Sequence, residues 1–406
     1  MASFYTTNAT FASRTLTAGQ VGLVGPSGLQ FASAAPSVTM SGDALLSVQG
    51  LVAYYGNIVD TPAILVTGAA RIVIAASGMV VGPHQGVSAT VSDLLHIDNA
   101  GMIGGAGPIS VTGAGLFNLV NAGSISTATS SAVIKSGGPA VIVNRGDISG
   151  IDSAIVLSST FRATIENTGT LLGFNFSVVS VGSSGTVRVV NRGEITGESR
   201  GVEVGGTGVL RLENTGTISA GREGTAGQFA VSGTAQADTV VNRGTIEGGV
   251  FLNAGTDRFD GRGGGASLVD GGDGNDTLIG GGGDDTLVGG NASDSLRGGS
   301  GDDSLHGGAG ADLIVGGVGD DTMTGGAGAD TFVFRRGHGD DLITDFQNNI
   351  DKLDLRSFRL TAATLKNDYA QSSGSGVLID LTALGGGTIQ VDGLTYAQLD
   401  ATDLIL

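Results

Sequence analysis

Seven aspartates recur at intervals of nine residues: Asp276, Asp285, Asp294, Asp303, Asp312, Asp321 and Asp330. Each is the sixth residue of a nonapeptide that opens with two glycines. The eighth residue is always apolar: Leu278, Leu287, Leu296, Leu305, Ile314, Met323 and Phe332. Carboxylates gathered by a repeat repel one another, so the pattern makes chemical sense around a multivalent cation that prefers hard oxygen ligands. The surrounding charge agrees. Between Asp257 and Asp354 there are 19 Asp, no Glu and six Lys plus Arg, a net charge of −13 in a 406-residue chain whose total is −18. Such a field makes nucleic acid a poor partner.

Repetition must position these residues. The chain has 74 Gly but only 6 Pro, which argues against collagen and proline-rich linkers and for a repeat architecture. Val, Ile and Thr abound while Lys is confined to Lys135, Lys352 and Lys366, so strands rather than long amphipathic helices are expected. The nonapeptides run without a gap from Gly271 to Val333, and Asn253–Asp260 and Gly261–Val269 read as worn copies.

Upstream, N-x-G-x-[I/L] occurs at Asn99, Asn121, Asn144, Asn167, Asn191, Asn214 and Asn242, at a period near 23. Residues two before each Asn (Ile97, Leu119, Ile142, Ile165, Val189, Leu212, Val240) and four after it are apolar. Alternation of period two means strands with one buried face. A fixed recurrence makes each unit one coil stacked on the next. The Asn column should form a ladder of side-chain amides, and the Gly two residues on should sit where a side chain would obstruct a bend. Glu166 and Glu213, with Arg145, Arg192 and Arg243, are expected to pair diagonally along the outside.

The upstream coils resemble the right-handed parallel β-helix of autotransporter passengers and polysaccharide lyases, over about residues 40–255. The nonapeptide GGxGxDxUx is similar to the RTX (repeats-in-toxin) calcium signature. The stretch GADTFVF…GDDLITDF…DKLDL, Gly328–Leu355, resembles the segment C-terminal to the repeats in serralysin-type proteins. This resemblance implies a calcium-binding parallel β-roll in which GGxGxD is a turn and x-U-x a short strand, two nonads complete a coil, and repeat n lies over repeat n+2. The position-six Asp would then pair as 276/294, 285/303, 294/312, 303/321 and 312/330, about five interior sites.

The family pattern adds carbonyl ligands. From second and fourth positions it implies Gly272, Gly274, Gly281, Gly283, Gly299, Gly301, Gly308 and Gly310. From first and third positions of the turn above it implies Gly289, Asn291, Gly298, Ser300, Gly307, Ala309, Gly316, Val318, Gly325 and Ala327. Ala292 departs from the pattern where Gly is expected, which weakens its site. Without the ion the carboxylates, with Asp284, Asp302 and Asp320 beside them, repel, so the roll should be disordered in a calcium-poor cytosol and fold outside the cell.

The final residues, Asp403-Leu404-Ile405-Leu406, resemble the uncleaved C-terminal signal of serralysin-like type I secretion substrates, which implies the type I secretion machinery as a partner and a bacterial extracellular or cell-surface location. The N-terminus shows neither basic n-region nor apolar h-region, and no apolar stretch reaches the roughly 20 residues of a membrane helix. The chain has no Cys, excluding disulfides and thiolate chemistry.

Catalytic motifs are not evident. HExxH and G-x-S-x-G are absent, and His84, His96, His306 and His338 are expected to be incidental, without a metal-ligating partner at i+3 or i+4. Asp147 and Glu194 share a repeat position two coils apart. The sequence therefore points to an all-β, non-enzymatic protein: residues 1–40 a cap or first coils, 41–255 the β-helix, 256–345 the roll, and 346–406 a C-terminal cap with export signal. Its expected role is a surface-layer, adhesin, matrix or fibre component, with cell-surface polysaccharide or a further copy of itself as partner. The alternative is a polysaccharide-active enzyme, because mannuronan C5-epimerases also join a parallel β-helix to RTX modules.

Overall fold

The computed structural model describes residues 2–6, 9–10, 14–25, 29–32, 36–54, 61–158, 161–220 and 229–406; parts of the expected first-coil segment 1–40 lie outside them. The chain divides into two compact units, Met1–Ala230 and Val231–Leu406, each a parallel β-solenoid.

In the first unit three strands make one coil. Leu116–Asn121, Ser124–Ser126 and Val133–Ser136 form one, and Ala140–Asn144, Asp147–Gly150 and Ile155–Ser158 the next. Each strand pairs in parallel with its counterpart, so like residues stack: Ile72, Ile97, Leu119, Ile142, Ile165, Val189 and Leu212 form one column. Val80, Ile103, Ile125, Ile148, Leu171, Ile195 and Ile218 form another. All are buried, and at about 1.5–3 kcal/mol per buried aliphatic side chain these columns are the chief stabilising feature. Towards the N-terminus, Val21–Val24 already pairs in parallel with Ala44–Val48.

The Asn column is a ladder. Asn99 Nδ2 donates to Asn121 Oδ1 at 2.7 Å, and Asn121, Asn144, Asn167 and Asn191 each donate to the next Oδ1 at 2.8 Å. The accompanying glycines are needed for closeness rather than for unusual backbone angles. A β-carbon on Gly123, Gly146, Gly169, Gly193 or Gly216 would strike the carbonyl oxygen of the glycine one coil below.

The outer ion pairs differ from expectation. Arg188 lies between Glu166 (3.7 Å) and Glu213 (3.2 Å), whereas Arg145 and Arg192 are exposed and Arg243 pairs with Asp260. The reason is position on the strand. Arg188 shares the outward face of Thr186–Asn191 with Val190, the residue in register with both glutamates, while Arg192 lies past the Asn191 bend.

In the second unit two strands complete a coil. Phe259, Leu278, Leu296, Ile314, Phe332 and Leu353 stack on one side. Val250, Val269, Leu287, Leu305, Met323 and Ile343 stack on the other. Repeat n thus lies against repeat n+2. The strands run six residues, as in Thr277–Gly282, longer than the expected x-U-x, because the first three residues of the next nonad continue the strand.

One worn copy is out of frame with its expected repeat. Val269, not Leu268, stacks on Leu287, so the segment holds one extra residue and Ser267 takes the sixth position. The slack lies among Gly263, Gly264 and Gly265, the last with open space about it.

The array ends in an antiparallel set, Ala370–Ser372, Gly376–Asp380 and Thr388–Asp392, whose last strand joins Asp341–Ile343 in parallel. Leu404–Ile405 pairs with Lys352–Asp354, and among the described residues no helix is long and apolar enough to cross a membrane.

Candidate metal centre

The nonapeptide turns are built from backbone that needs glycine at alternate positions. Second-position Gly272, Gly281, Gly299 and Gly308 and fourth-position Gly274, Gly283, Gly301 and Gly310 all have φ between +86° and +146°, the left-handed side that other residues avoid. Ala292 adopts φ 74° at the fourth position of its repeat, a strain of order 1 kcal/mol. The winding turns these carbonyls up the stack. The carbonyl oxygens of Gly272, Gly281, Gly299 and Gly308 stand where a β-carbon on Gly290, Gly299, Gly317 and Gly326 would lie, and those of Gly283, Gly301 and Gly310 where one on Gly301, Gly319 and Gly328 would lie.

First-position glycines are open for a different reason. A β-carbon on Gly271, Gly280, Gly289, Gly298, Gly307, Gly316 or Gly325 would meet Oδ2 of its own repeat's Asp. The same space faces first-position carbonyls of the turn above: Gly289 O, Gly298 O, Gly307 O and Gly325 O lie 2.5–2.8 Å from the β-carbons that Gly271, Gly280, Gly289 and Gly307 would carry. Third-position carbonyls of Asn291, Val318 and Ala327 accept from the amides of Gly274, Gly301 and Gly310 at 2.7–2.9 Å, which leaves each a second lone pair. Ser300 and Ala309 stack in register on Gly282 and Asn291.

Every sixth-position Asp from Asp276 to Asp330 is at most 3% exposed. One carboxylate oxygen is satisfied. The N–H groups of Asp276, Asp285, Asp294, Asp303 and Asp312 donate to Oδ1 of Asp294, Asp303, Asp312, Asp321 and Asp330 at 2.8–2.9 Å. The other is not. Oδ2 of Asp257, Asp276, Asp285, Asp294, Asp303, Asp312, Asp321 and Asp330 is buried with no hydrogen-bond partner. Burial, only partly opposed by the amide bond and reinforced by neighbouring carboxylates, pushes the carboxyls of Asp257, Asp285, Asp294 and Asp321 up to about 7 and that of Asp303 to about 6. Asp276, Asp312 and Asp330 are raised as well, again chiefly by burial.

Unpartnered buried carboxylate oxygens are costly, and a column of them fits a cation. Among the described residues no three His, Cys, Asp or Glu side chains converge, so an ion here draws on stacked carboxylates and on the crowded turn carbonyls, the oxygen-only set that suits calcium. The fifth-position Asp302 and Asp320 stand apart. They are exposed, and Asp284 and Asp302 use Oδ1 to accept from the Asp302 and Asp320 amides at 2.9 Å.

Two features are not evident from sequence. Asp257, in a worn copy, carries the same unpartnered oxygen as the array. His338 is not incidental: it is buried, and its Nδ1 lies 2.7 Å from Asp341 Oδ2, three residues on. The i+3 spacing is the one sequence signal of that contact.

The RTX calcium-binding nonapeptide repeat (4 copies) matches residues 262–296, 270–305, 297–332 and 306–341. No curated protein matches the chain. Among solved structures, the AlgE6R3 subunit from the Azotobacter vinelandii mannuronan C5-epimerase is similar at 31% identity over 30% of this chain and 78% of that one, with a TM-score of 0.26. The nonapeptides are RTX calcium-binding repeats set in a parallel β-solenoid.

Proposed function

We propose that this is a secreted, non-enzymatic bacterial protein whose roll folds on calcium outside the cell and whose β-helix acts as a structural or adhesive body. The observation that carries the reading is the column of unpartnered Oδ2 atoms in the array. Five ions would sit between the stacked pairs 276/294, 285/303, 294/312, 303/321 and 312/330. With the 10⁻⁴–10⁻³ M affinity of extracellular modules, each contributes about 0.4–1.4 kcal/mol at ~1 mM calcium, or about 2–7 kcal/mol together, comparable to a small domain's whole stability. Calcium-poor cytosol then leaves the roll open for a type I exporter. In the folded chain Asp403 is buried and Leu404–Ile405 are paired as a strand while Leu406 stays exposed, so the signal-like segment would be read before folding.

A surface groove of about 560 Å³ on the β-helix supports polysaccharide as the adhesive partner. It is lined by Asp152, Asn175, Arg200 and Glu203 beside Phe176, which is 63% exposed, a mixture of polar groups and an aromatic face suited to sugar. Its carboxylates are held in side-chain contacts along the wall: Glu203 has both oxygens engaged, by Ser177 Oγ and by Arg200 at 2.9 Å, and Asp152 Oδ1 accepts from Asn175 at 3.0 Å.

The test is folding. In chelator at pH 7.5, residues 257–341 should be cut rapidly by protease and lose β circular dichroism, and about 1 mM calcium should restore both while magnesium, with its rigid small octahedron, should not. Equal protection in chelator and calcium refutes the reading.

A further inference from the structure

The unpartnered oxygens do not stop where the nonapeptides do. Asp257 is 2% exposed, and its Oδ2 has no partner. Its Oδ1 accepts from the Asp238 amide at 2.7 Å, and its own amide donates to Asp276 Oδ1 at 2.7 Å, the same linkage that joins the array aspartates. The turn before it is wound as an array turn although its residues differ. Asn253 takes φ 75° where the repeats have their second glycine, and Gly255 takes φ 140° at the fourth position. Asn253 holds that angle by donating from Nδ2 to Gly233 O at 2.9 Å. The carbonyl oxygens of Asn253 and Gly255 stand where β-carbons on Gly272 and Gly274 would lie, the same placement as the array carbonyls against the turn above.

The neighbouring ends of the two columns behave otherwise. Asp238 receives the amide and hydroxyl of Thr234 at 2.6 and 3.2 Å. Asp351 Oδ2 receives the Gln347 amide at 2.8 Å, and Asp341 Oδ2 meets His338. In each, protein donors occupy the oxygen that an ion would take. Asp260 is engaged by Arg243, Arg258 and Arg262.

We propose that Asp257 and Asp276, with the carbonyls of Asn253 and Gly255, hold one further calcium outside the nonapeptide array. The proposal rests on the calcium reading of the array. It is the weakest site of the six, because Leu252 stands where the array has its first glycine and Thr256 supplies no fifth-position carboxylate. Asp276 then serves two ions rather than one.

The test is calcium stoichiometry of the full chain by equilibrium dialysis after chelator treatment. Six ions are expected, the last to fill being lost in Asp257→Asn, and Asp276→Asn should lose two. An unchanged count in Asp257→Asn, or a loss of one in Asp276→Asn, overturns the extra site while leaving the array intact; a wild type that binds no calcium overturns the array reading too. Should Asp257→Asn fail to fold, terbium soaked into crystals of the wild type decides. An anomalous peak between Asp257 and Asp276 supports the site, and peaks confined to the array refute it.

Discussion

The raised carboxyls make the calcium-free roll sensitive to pH in a direction opposite to ordinary acid denaturation. An exposed Asp in the unfolded chain titrates near 3.9. In the folded roll, burial moves Asp285, Asp294 and Asp321 to about 7 and Asp303 to about 6. Between these limits the folded state binds more protons than the unfolded one, so this contribution is fully present below about pH 4 and is lost as pH rises through 6–7. A displacement of about three units on one such buried group corresponds to about 4 kcal/mol. Charging two of them without calcium therefore costs about 8 kcal/mol, within the range of 5–15 kcal/mol that holds a whole domain. Below about pH 4 the opposite class takes over: Asp260 and Asp354, held low mainly by Arg262 and Arg356, lose their ion pairs. In chelator, then, the roll should be folded at pH 5 and unfolded at pH 8, with a midpoint between 6 and 7, and calcium at pH 7 should bind with release of protons. The assay is circular dichroism and limited proteolysis of residues 257–341 across pH 4.5–8.5, with pH-stat measurement of proton release. A chelated roll equally protected at pH 5 and 8, or calcium uptake without proton release, refutes the argument.

Two substitutions test the solenoids separately. Asn167→Ala removes the bonds to Asn144, Asn191, Gly169 O and Glu194 O from a fully buried site; at about 1–3 kcal/mol for stranded polar groups the β-helix melt should fall by roughly 3–10 °C, with calcium stoichiometry unchanged, and an unaltered melt would show that the row does not hold the stack. Gly298→Ala places a methyl against Asp303 Oδ2 without a left-handed φ to strain it. Dialysis at limiting calcium should show one ion bound more weakly, as Leu252 weakens the site at Asp257, while the acid-folded roll at pH 5 persists; unaltered binding would place the ion elsewhere.

The parts legible in sequence are those where identical residues recur at an interval equal to a coil. Asn99 to Asn214 and Asp276 to Asp330 are visible as columns because a parallel solenoid brings each recurrence into register. Stacking is hidden where it persists but the interval does not. Asp341 stacks on Asp321 after 20 residues and Asp351 on Asp330 after 21, because insertions are absorbed in the turns. Asp257 is hidden by Leu252 and Asn253, which replace the glycine pair although Asn253 can still wind left-handed. Lys135 breaks the inward alternation of apolar residues and is nevertheless fully buried. It lies in register with Val111 and Leu157, and its ammonium donates to the carbonyls of Gly113 (2.6 Å), Ser136 (3.1 Å) and Gly137.

The metal dependence proposed for the roll, and not for the β-helix, comes down to the difference between one amide and one carboxylate. Both columns sit at a bend, are buried, and link one coil to the next. An Asn side chain carries a donor and an acceptor, so a column of them closes on itself: from Asn121 to Asn214 each Oδ1 receives the Nδ2 below, and Nδ2 of Asn121, Asn144, Asn167 and Asn191 also reaches two turn carbonyls. An ionised Asp carries acceptors only. The backbone amide of the stacked Asp satisfies one oxygen, and nothing among the described residues satisfies the other. Where the chain does supply a donor, at Thr234, Gln347 or His338, the column ends. Between those ends the missing positive charge has to come from solution, as a proton in acid or as calcium at neutral pH. On this reading, replacing the Asp column by Asn should leave a coil whose circular dichroism no longer depends on calcium.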